Sequence, residues 1–575
     1  MSTIDPITLE IVSNALASTA DVMAIGLYRT AYSTIVRDAL DFSTSLCNTE
    51  GEQIAQSTTI PFHMGSVPDA MQSMFRKYGD AIEPGDVFIL NDPFDGGMHI
   101  PDIFIIKPVF VGDRRVAFAV ATAHHLDLGG RVPGSSACDN RDIFQDGFRI
   151  PMLKLYHRGE PDEALFALLR ANIRVPVMTF GDLRSQLSAC HVGEHAVLEL
   201  IERHGIETFE SCARELLDYS ERLVRSEIAS WPDGSSTFVD YIDSDGCGGP
   251  RTKVQCTMTV AGDRLTADLT GSADQVPGAI NATRSFTVAT IGFAMRSAMS
   301  QALPNTEGMF RPLEVIAPEG SIFNVRMPGA SSMRGIVGFR LVDVALGALA
   351  GIVPDRVPAA CEGGNSLIII GGQRRESQDA YVYYELLCGT WGARPDRDGN
   401  DGLCSPANVA ANIPIEEAEC NYPIRIERYG LVNDSGGAGR FRGGMAVERE
   451  WTLLEGDAQL TIRSDRRDHL PYGLQGGQPG RGSTNVLHHA ADKEELITMV
   501  STSMKEGETI YHRQPGGGGF GDPLERDPKA VARDVRNDRV SREAAVADYG
   551  VILKDGTFEV DDEATLRLRA ERSRG

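Results

Sequence analysis

No Cys-x-x-Cys pair occurs among the ten cysteines of this 575-residue chain, which excludes a zinc knuckle or a redox dithiol and leaves the cysteines as small core residues. No glycine is followed by lysine. The glycine-rich segments Gly436-Gly437, Arg442-Gly443-Gly444, Gly476-Gly477 and Gly516–Gly519 are therefore not Walker loops and read as tight turns and close backbone packing. The G-x-S-x-G elbow of serine hydrolases is missing as well. Lysine is scarce: eight of the 56 basic residues, with no basic block anywhere and a net charge of −24. Nucleic acid and anionic membrane are therefore poor partners. No run of 18 apolar residues is present; the best, Val344–Val353, is short and interrupted by glycine. Met1–Ile11 carries Asp5 and Glu10 and lacks a signal pattern. A soluble, cytoplasmic chain is expected.

What is there is histidine in one place. Eight of the twelve histidines lie in the first 204 residues, and the segment NDPFDGGMHIPD…ATAHHLDLGG holds His99, Asp102, His124 and His125. Mixed imidazole and carboxylate groups suit a first-row divalent ion. Ile103–Phe110 and Val116–Ala123 read as strands joined by a three-residue loop, Gly112-Asp113-Arg114. With Asp113 at the centre, Asp102 lies opposite His124 on one face, and His99 sits on a Gly96-Gly97 turn three residues earlier. A bulge at Pro108 would slip the register. Residue types alone leave a hydrogen-bonded core pair as the alternative. Asp38 and Asp41 flank Leu40 before a strand and read locally as turn carboxylates. His63, Asp127 (two residues after His125, placed to orient an imidazole) and Asp146 are further candidates.

The chain divides into a metal-bearing α+β domain over 1–231, a larger mixed strand-rich region over 232–525 and a charged helical tail over 526–575. Asp5-Pro6 caps a helix reaching about Arg29. LDFSTSLCN and QIAQS form a strand pair, and Val67–Tyr78 a helix with Met71 and Phe75 on one side. Leu183–Glu202 and Phe209–Ser230 form two more helices. Trp231-Pro232-Asp233-Gly234 breaks the second, and TKVQCTMTV and RLTADLTG follow as a hairpin about Gly262-Asp263. A short helix is expected over Leu341–Ile352, and Asp527–Leu553 is helical and charged.

Taken in order, LDFSTSLCNTEG, PFHMGSVPDAM, GDVFILNDPFDGGMHIPD, AHHLDLGGRVPGS, DGFRIPMLKL, NIRVPVMTFGDLRSQLSA, DLTGSADQVPGAIN, NIPIEEAEC, NDSGGAGRFRGG, GLQGGQPG, PGGGGFGDPLERDP and VSREAA…YGVIL resemble the hydantoinase B/oxoprolinase family almost end to end. The resemblance implies an A-type partner subunit that binds ATP and phosphorylates the substrate, in keeping with the absent phosphate loop. This chain then completes the reaction with a divalent metal. It implies metal ligands at Asp41, His99, Asp102 and His124, with Zn, Mn or Fe admitted, and His125, His63 or Asp127 as proton carriers. Where many relatives have a charged residue before the aspartate, this chain has Leu40. The expected activity is ATP-dependent opening of a cyclic amide (hydantoin, oxoproline or lactam), in a hetero-oligomer such as A2B2. The alternatives are an ATP-dependent ketone carboxylase of the acetone or acetophenone type, a non-catalytic scaffold, and a self-sufficient metallohydrolase.

Overall fold

A computed structural model describes residues 4–363, 366–489 and 492–573; the outermost residues of the expected first and last segments lie outside them. The architecture is α+β, with four sheets among the described residues. Helix α1 (Pro6–Thr30) begins as the sequence dictates: the Asp5 side chain accepts from the Thr8 amide, and Pro6 opens the first turn. Strands β1 (Phe42–Cys47) and β2 (Gln53–Gln56), helix α2 (Val67–Tyr78) and strand β3 (Val87–Leu90) follow. Then come the long hairpin β4 (Asp102–Val111) and β5 (Arg114–His124) and the short strands β6 (Leu153–His157) and β7 (Glu160–Pro161). These seven strands make an antiparallel sheet in the order β2-β1-β5-β4-β3-β6-β7.

Both faces of that sheet are covered, which is why β4 and β5 read as nearly continuous apolar runs. Long helix α3 (Pro176–His204) lies on β4 and β5, and α1 packs beside it over β1 and β2. Gly193 makes this possible: a Cβ there would stand 2.6 Å from Met23 Sδ of α1 and 3.1 Å from Ala119 Cβ of β5. On the opposite face Phe75 of α2 meets Phe118 edge to face, ring centroids 5.7 Å apart. From Ala117 onward odd-numbered β5 residues thus face α3, and even-numbered ones face the other side.

The hairpin turns differently from the sequence expectation. Val111 pairs with Arg114, so the loop is the two residues Gly112-Asp113, and a bulge between Val109 and Phe110 absorbs the offset. Beyond the bulge the pairing returns to the expected sum of 226, and Asp102 faces His124.

Helix α4 (Ile206–Ile228) leads into β8 (Gly234–Ile242), β9 (Thr252–Ala261), β10 (Arg264–Asp268), helix α5 (Arg284–Ser297) and β11 (Leu313–Ile316). The second sheet runs β11-β10-β9-β8. Helix α6 (Gly335–Leu349), six residues earlier at its start than the sequence suggests, is buried at every position between α5, β8 and β9. Strands β12 (Leu367–Gln373), β13 (Ala380–Leu386), β14 (Ile424–Leu431), β15 (Val447–Leu453), β16 (Asp457–Arg463), β17 (Thr484–His488), β18 (Lys493–Leu496), β19 (Met499–Lys505) and β20 (Thr509–Arg513) build two more sheets. Their orders are β13-β12-β16-β19 and β14-β15-β20-β17-β18, and Ile368, Tyr383, Trp451 and Leu460 lie in a shared core between them.

The glycine-rich segments pack backbone on backbone: a Cβ at Gly516 would lie 1.8 Å from Ser435 O, and one at Gly518 2.0 Å from Tyr472 O. The tail is three helices, α7 (Pro528–Arg536), α8 (Arg542–Ala547) and α9 (Asp562–Arg572), and not one helical stretch. Val531, Val535, Ala545 and Tyr549 form a small core with Ala438. The largest hydrophobic cluster contains residues from Val12 to Met499.

Candidate metal centre

Strand β5 lies between β4 and β1, and this places the site. His124 at its end has Asp102 of β4 opposite it on one side. On the other side the β1 pairing, Phe42 to Ala123, continues one step further: the His124 amide donates to Asp41 O at 3.0 Å. Asp41 and Asp102 thus flank the same imidazole. Leu40, just before Asp41, is held at φ 62°, a left-handed conformation uncommon for a branched residue and often found beside functional groups. His99 enters from the turn before β4, where the Asp102 amide donates to His99 O at 3.1 Å. Asn91 pins that turn: its Nδ2 donates to Ile100 O at 2.7 Å while its Oδ1 accepts from the Ile150 amide at 2.6 Å.

Three side chains, His99, Asp102 and His124, consequently come together, with Asp41 beside them. Asp102 Oδ2 is 2.9 Å from His99 Nδ1, Asp102 Oδ1 is 3.2 Å from His124 Nδ1, and Asp41 Oδ2 is 4.0 Å from His124 Nδ1. The imidazole centroids of His99 and His124 are 5.0 Å apart. Donor atoms of His99, Asp102 and His124 all lie within 4.8 Å of one another. Ligands on one ion at about 2.1 Å are at most roughly 4.2 Å apart, so a sub-ångström contraction gives the three a common centre. His124 Nε2 is buried without a hydrogen-bond partner, and a buried polar atom left so calls for an explanation. Burial, aided by the Arg334 charge, lowers the pKa of His99 to about 3, so its ring is neutral, the form that ligates a metal. Burial works against the Asp102 carboxylate, but His99 and Arg334 outweigh it and hold Asp102 well below the usual range. Asp41 is raised, chiefly by burial. The donor set fits a divalent ion.

Of the other sequence candidates, His63 lines the same cavity. It rides on a short 3-10 turn, Pro61–His63, and its Nδ1 is 2.9 Å from Ser43 Oγ of β1. Burial lowers its pKa to about 4. His125 and Asp127 are not among the lining residues. The alternation of β5 carries His125 to the α3 face, where its Nε2 is 2.9 Å from Gln186 Oε1. Asp127 accepts from the amides of Gly129 and Gly134, at 2.9 Å each, and from Arg174 Nη1 at 3.0 Å, fixing the loop after β5. Asp146 accepts from the amides of Ser331 and Ser332 at 2.8 and 3.0 Å, and burial raises its pKa to about 6. Asp38 pairs with Arg37.

Apart from Ile60 and Phe62, the remaining lining comes from the second half of the chain. Arg334, just before α6, reaches Asp102 Oδ2 at 2.5 Å. Tyr384 of β13 sets its ring 5.1 Å from that of His124. Arg463 ends β16, and Ser332 and Asn408 complete the wall. Sequence reasoning found none of these, because each is brought in by packing across more than 200 residues and carries no local motif. The cavity has about 40 Å³ of room for atom centres, enough for about three waters at roughly 10–15 Å³ each.

Residues 5–523 match the hydantoinase B/oxoprolinase family model; the chain belongs to the hydantoinase B/oxoprolinase family. Among its relatives is the B-type component of a putative D-/L-hydantoinase of Pseudomonas sp. strain NS671, 33% identical over 98% of both chains. The crystal structure of ATP-dependent caprolactamase from Pseudomonas jessenii superposes with a TM-score of 0.92 at 31% identity, covering 99% of this chain and 100% of that one. Acetone carboxylase in a nucleotide-free structure shares the fold at a TM-score of 0.92 and 21% identity, over 99% of this chain and 83% of the other.

Proposed function

We propose that this chain is the metal-bearing subunit of an ATP-dependent cyclic-amide hydrolase, working with an A-type subunit that binds ATP and phosphorylates the substrate. The observation that carries the reading is the convergence of Asp41, His99, Asp102 and His124 on one buried cavity with His124 Nε2 left unpartnered. End-to-end similarity to the B-type component of a hydantoinase and to a caprolactamase supports it. These four residues would hold Zn, Mn or Fe. A divalent ion there supplies Lewis acidity and brings the pKa of water toward neutrality.

The chain's own groups do the rest. Asp102 spans the two imidazoles and fixes their orientation. His63, neutral at physiological pH and anchored through Nδ1 by Ser43, offers Nε2 as the proton acceptor in the cavity. His125 and Asp127, sequence candidates for the same task, act from outside it: His125 through Gln186, Asp127 through the 129–134 loop. Segments 1–231, 232–525 and 526–575 stand as the proposed domain division. An A2B2 assembly and, with ATP as co-substrate, a cytoplasmic location complete the reading.

The test is reconstitution with the A-type partner, ATP and Mn²⁺, offering hydantoin, 5-oxoproline or caprolactam. Ring opening coupled to phosphate release is expected, abolished by chelation and restored by metal. ATP consumption only with a ketone and bicarbonate would replace this reading with the carboxylase, which has the shared fold in its favour. Full turnover by an Asp102→Ala/His124→Ala protein would leave the scaffold role.

A further inference from the structure

A second cavity adjoins the metal centre. The Pro61–His63 turn divides the two: Ile60, Phe62 and His63 line the metal cavity, Pro61 and Met64 the other. Asn408 and Val409 divide in the same way, Asn408 to the metal side. Between them stands the Phe62 ring, edge to face with Phe293 at 6.2 Å between centroids. The second cavity has about 220 Å³ of room for atom centres, against about 40 Å³ beside the metal. A few waters fill the smaller one, whereas an organic chain of any length fits only the larger. Thr58 and Val409 on its wall are exposed, so it opens outward.

One face of α5 forms its floor. Ala289, Gly292, Phe293 and Arg296 fall at helical spacings of three and four. Gly292 is required there, since a Cβ would stand 2.1 Å from the Phe310 ring. At the C-terminal end of this face is the partly buried Arg296. Its Nη2 donates to Leu303 O at 2.8 Å, and its Nη1 lies 3.7 Å from Met309 Sδ. Burial lowers its pKa from the ordinary value, and among the described residues no carboxylate pairs with it. A guanidinium stays charged even so, and one carbonyl with one thioether leaves most of its five donors open. An apolar cavity with a single placed cation is the usual makeup of a small-molecule site, and the planar fork of arginine matches a carboxylate. A polar stretch, Gln56–Thr59 with Asn305, lines the cavity as well.

Hydrolysis of a cyclic amide releases a molecule of that pattern, a carboxylate at one end of a carbon chain and an amine or ureide at the other. We propose that this pocket is a carboxylate site, taking a small acid with its carboxylate on Arg296 and its chain along α5, and that its occupant is the acid formed by ring opening in the neighbouring cavity. The occupant rests on the hydrolase reading above; the site rests on Arg296 and the cavity alone. An acid held there obstructs departure of the next, so added product slows turnover.

The probes are hexanoate and 6-aminohexanoate, titrated calorimetrically into the isolated full-length chain in EDTA, which keeps metal out of the neighbouring cavity. One acid per chain is expected, with hexanamide, the neutral counterpart of hexanoate, bound about tenfold more weakly or worse. Arg296→Gln should cost about tenfold or more in hexanoate affinity, and Arg296→Lys, which keeps the charge, should recover part of it. Equal binding of hexanamide and hexanoate by the parent chain, a comparison that needs no variant, would overturn the site; so would parent-like hexanoate binding by Arg296→Gln. The second arm is the reconstituted pair with ATP, Mn²⁺ and caprolactam. Added 6-aminohexanoate should inhibit ring opening, with an inhibition constant raised about tenfold in Arg296→Gln. Turnover indifferent to the acid would overturn the product assignment and leave the carboxylate site standing. If the pair opens neither caprolactam, hydantoin nor 5-oxoproline, the hydrolase reading fails and the product assignment falls with it, while calorimetry still decides the site.

Discussion

The Asp102–Arg334 pair gives the most exacting test of the site as described. Both side chains are almost free of solvent, at 1% and 9% exposure, so their attraction is not screened as a surface pair would be. Asp102→Asn keeps the shape and removes the charge, leaving Arg334 a buried cation beside two imidazoles. Breaking a buried pair from one end costs about 3–5 kcal/mol, and this change should fall in that range for the metal-free chain. Arg334→Met should cost less, since His99 can take up a proton beside the stranded carboxylate once the Arg334 charge, which helps hold that ring near a pKa of about 3, is gone. The double variant removes both charges and should be no worse than Asp102→Asn alone. The two changes should therefore be non-additive by about 2 kcal/mol or more, where independent sites add to within about 0.5 kcal/mol. Urea unfolding of the four proteins, followed by fluorescence and circular dichroism, measures the cycle. Additive single variants would show that the two side chains do not act as a pair and would remove the electrostatic account of the cavity.

Acid should destabilise the metal-free chain in a defined window. Burial depresses His99 and His512 to about 3 and His63 to about 4, below the ordinary 6.5. The unfolded chain therefore binds protons that the folded one refuses. Stability is full above pH 6.5 and falls as pH drops toward 4, at up to about 4 kcal/mol per unit for three protons; urea midpoints unchanged between pH 7.5 and 5 would contradict this. Gly516→Ala and Gly518→Ala should each destabilise by about 3 kcal/mol or more in the same assay, because the added Cβ meets carbonyl oxygens at 1.8 and 2.0 Å that cannot swing away. His63→Gln should lower kcat of the reconstituted pair about 100-fold with KM little changed, and equal turnover would take His63 out of the proton path. His125→Gln, acting from the α3 face, should instead leave Mn²⁺ affinity within about threefold; a complete loss of metal would put it among the ligands.

The chain's local rules were legible from its letters. Asp5-Pro6 started α1, period-two runs marked β1, β2, β9 and β10, and the hairpin register set Asp102 against His124. That register held for a reason the letters did not contain. The shorter loop and the bulge at Val109 shift it in opposite senses. The Gly96-Gly97 turn brought His99 toward Asp102 by residue order alone, whereas Asp41, locally a turn carboxylate, was singled out only by the family resemblance. Three-dimensional packing decided the rest. The β1–β5 pairing put Asp41 beside His124, strand alternation turned His125 away, and the approach of α6 and of the β12–β13–β16 sheet delivered Arg334, Tyr384 and Arg463. Short-range order follows from backbone sterics and side-chain period, which a sequence carries directly. The charge and volume of a buried cavity depend instead on which distant surfaces meet, and that is settled only when the whole core closes.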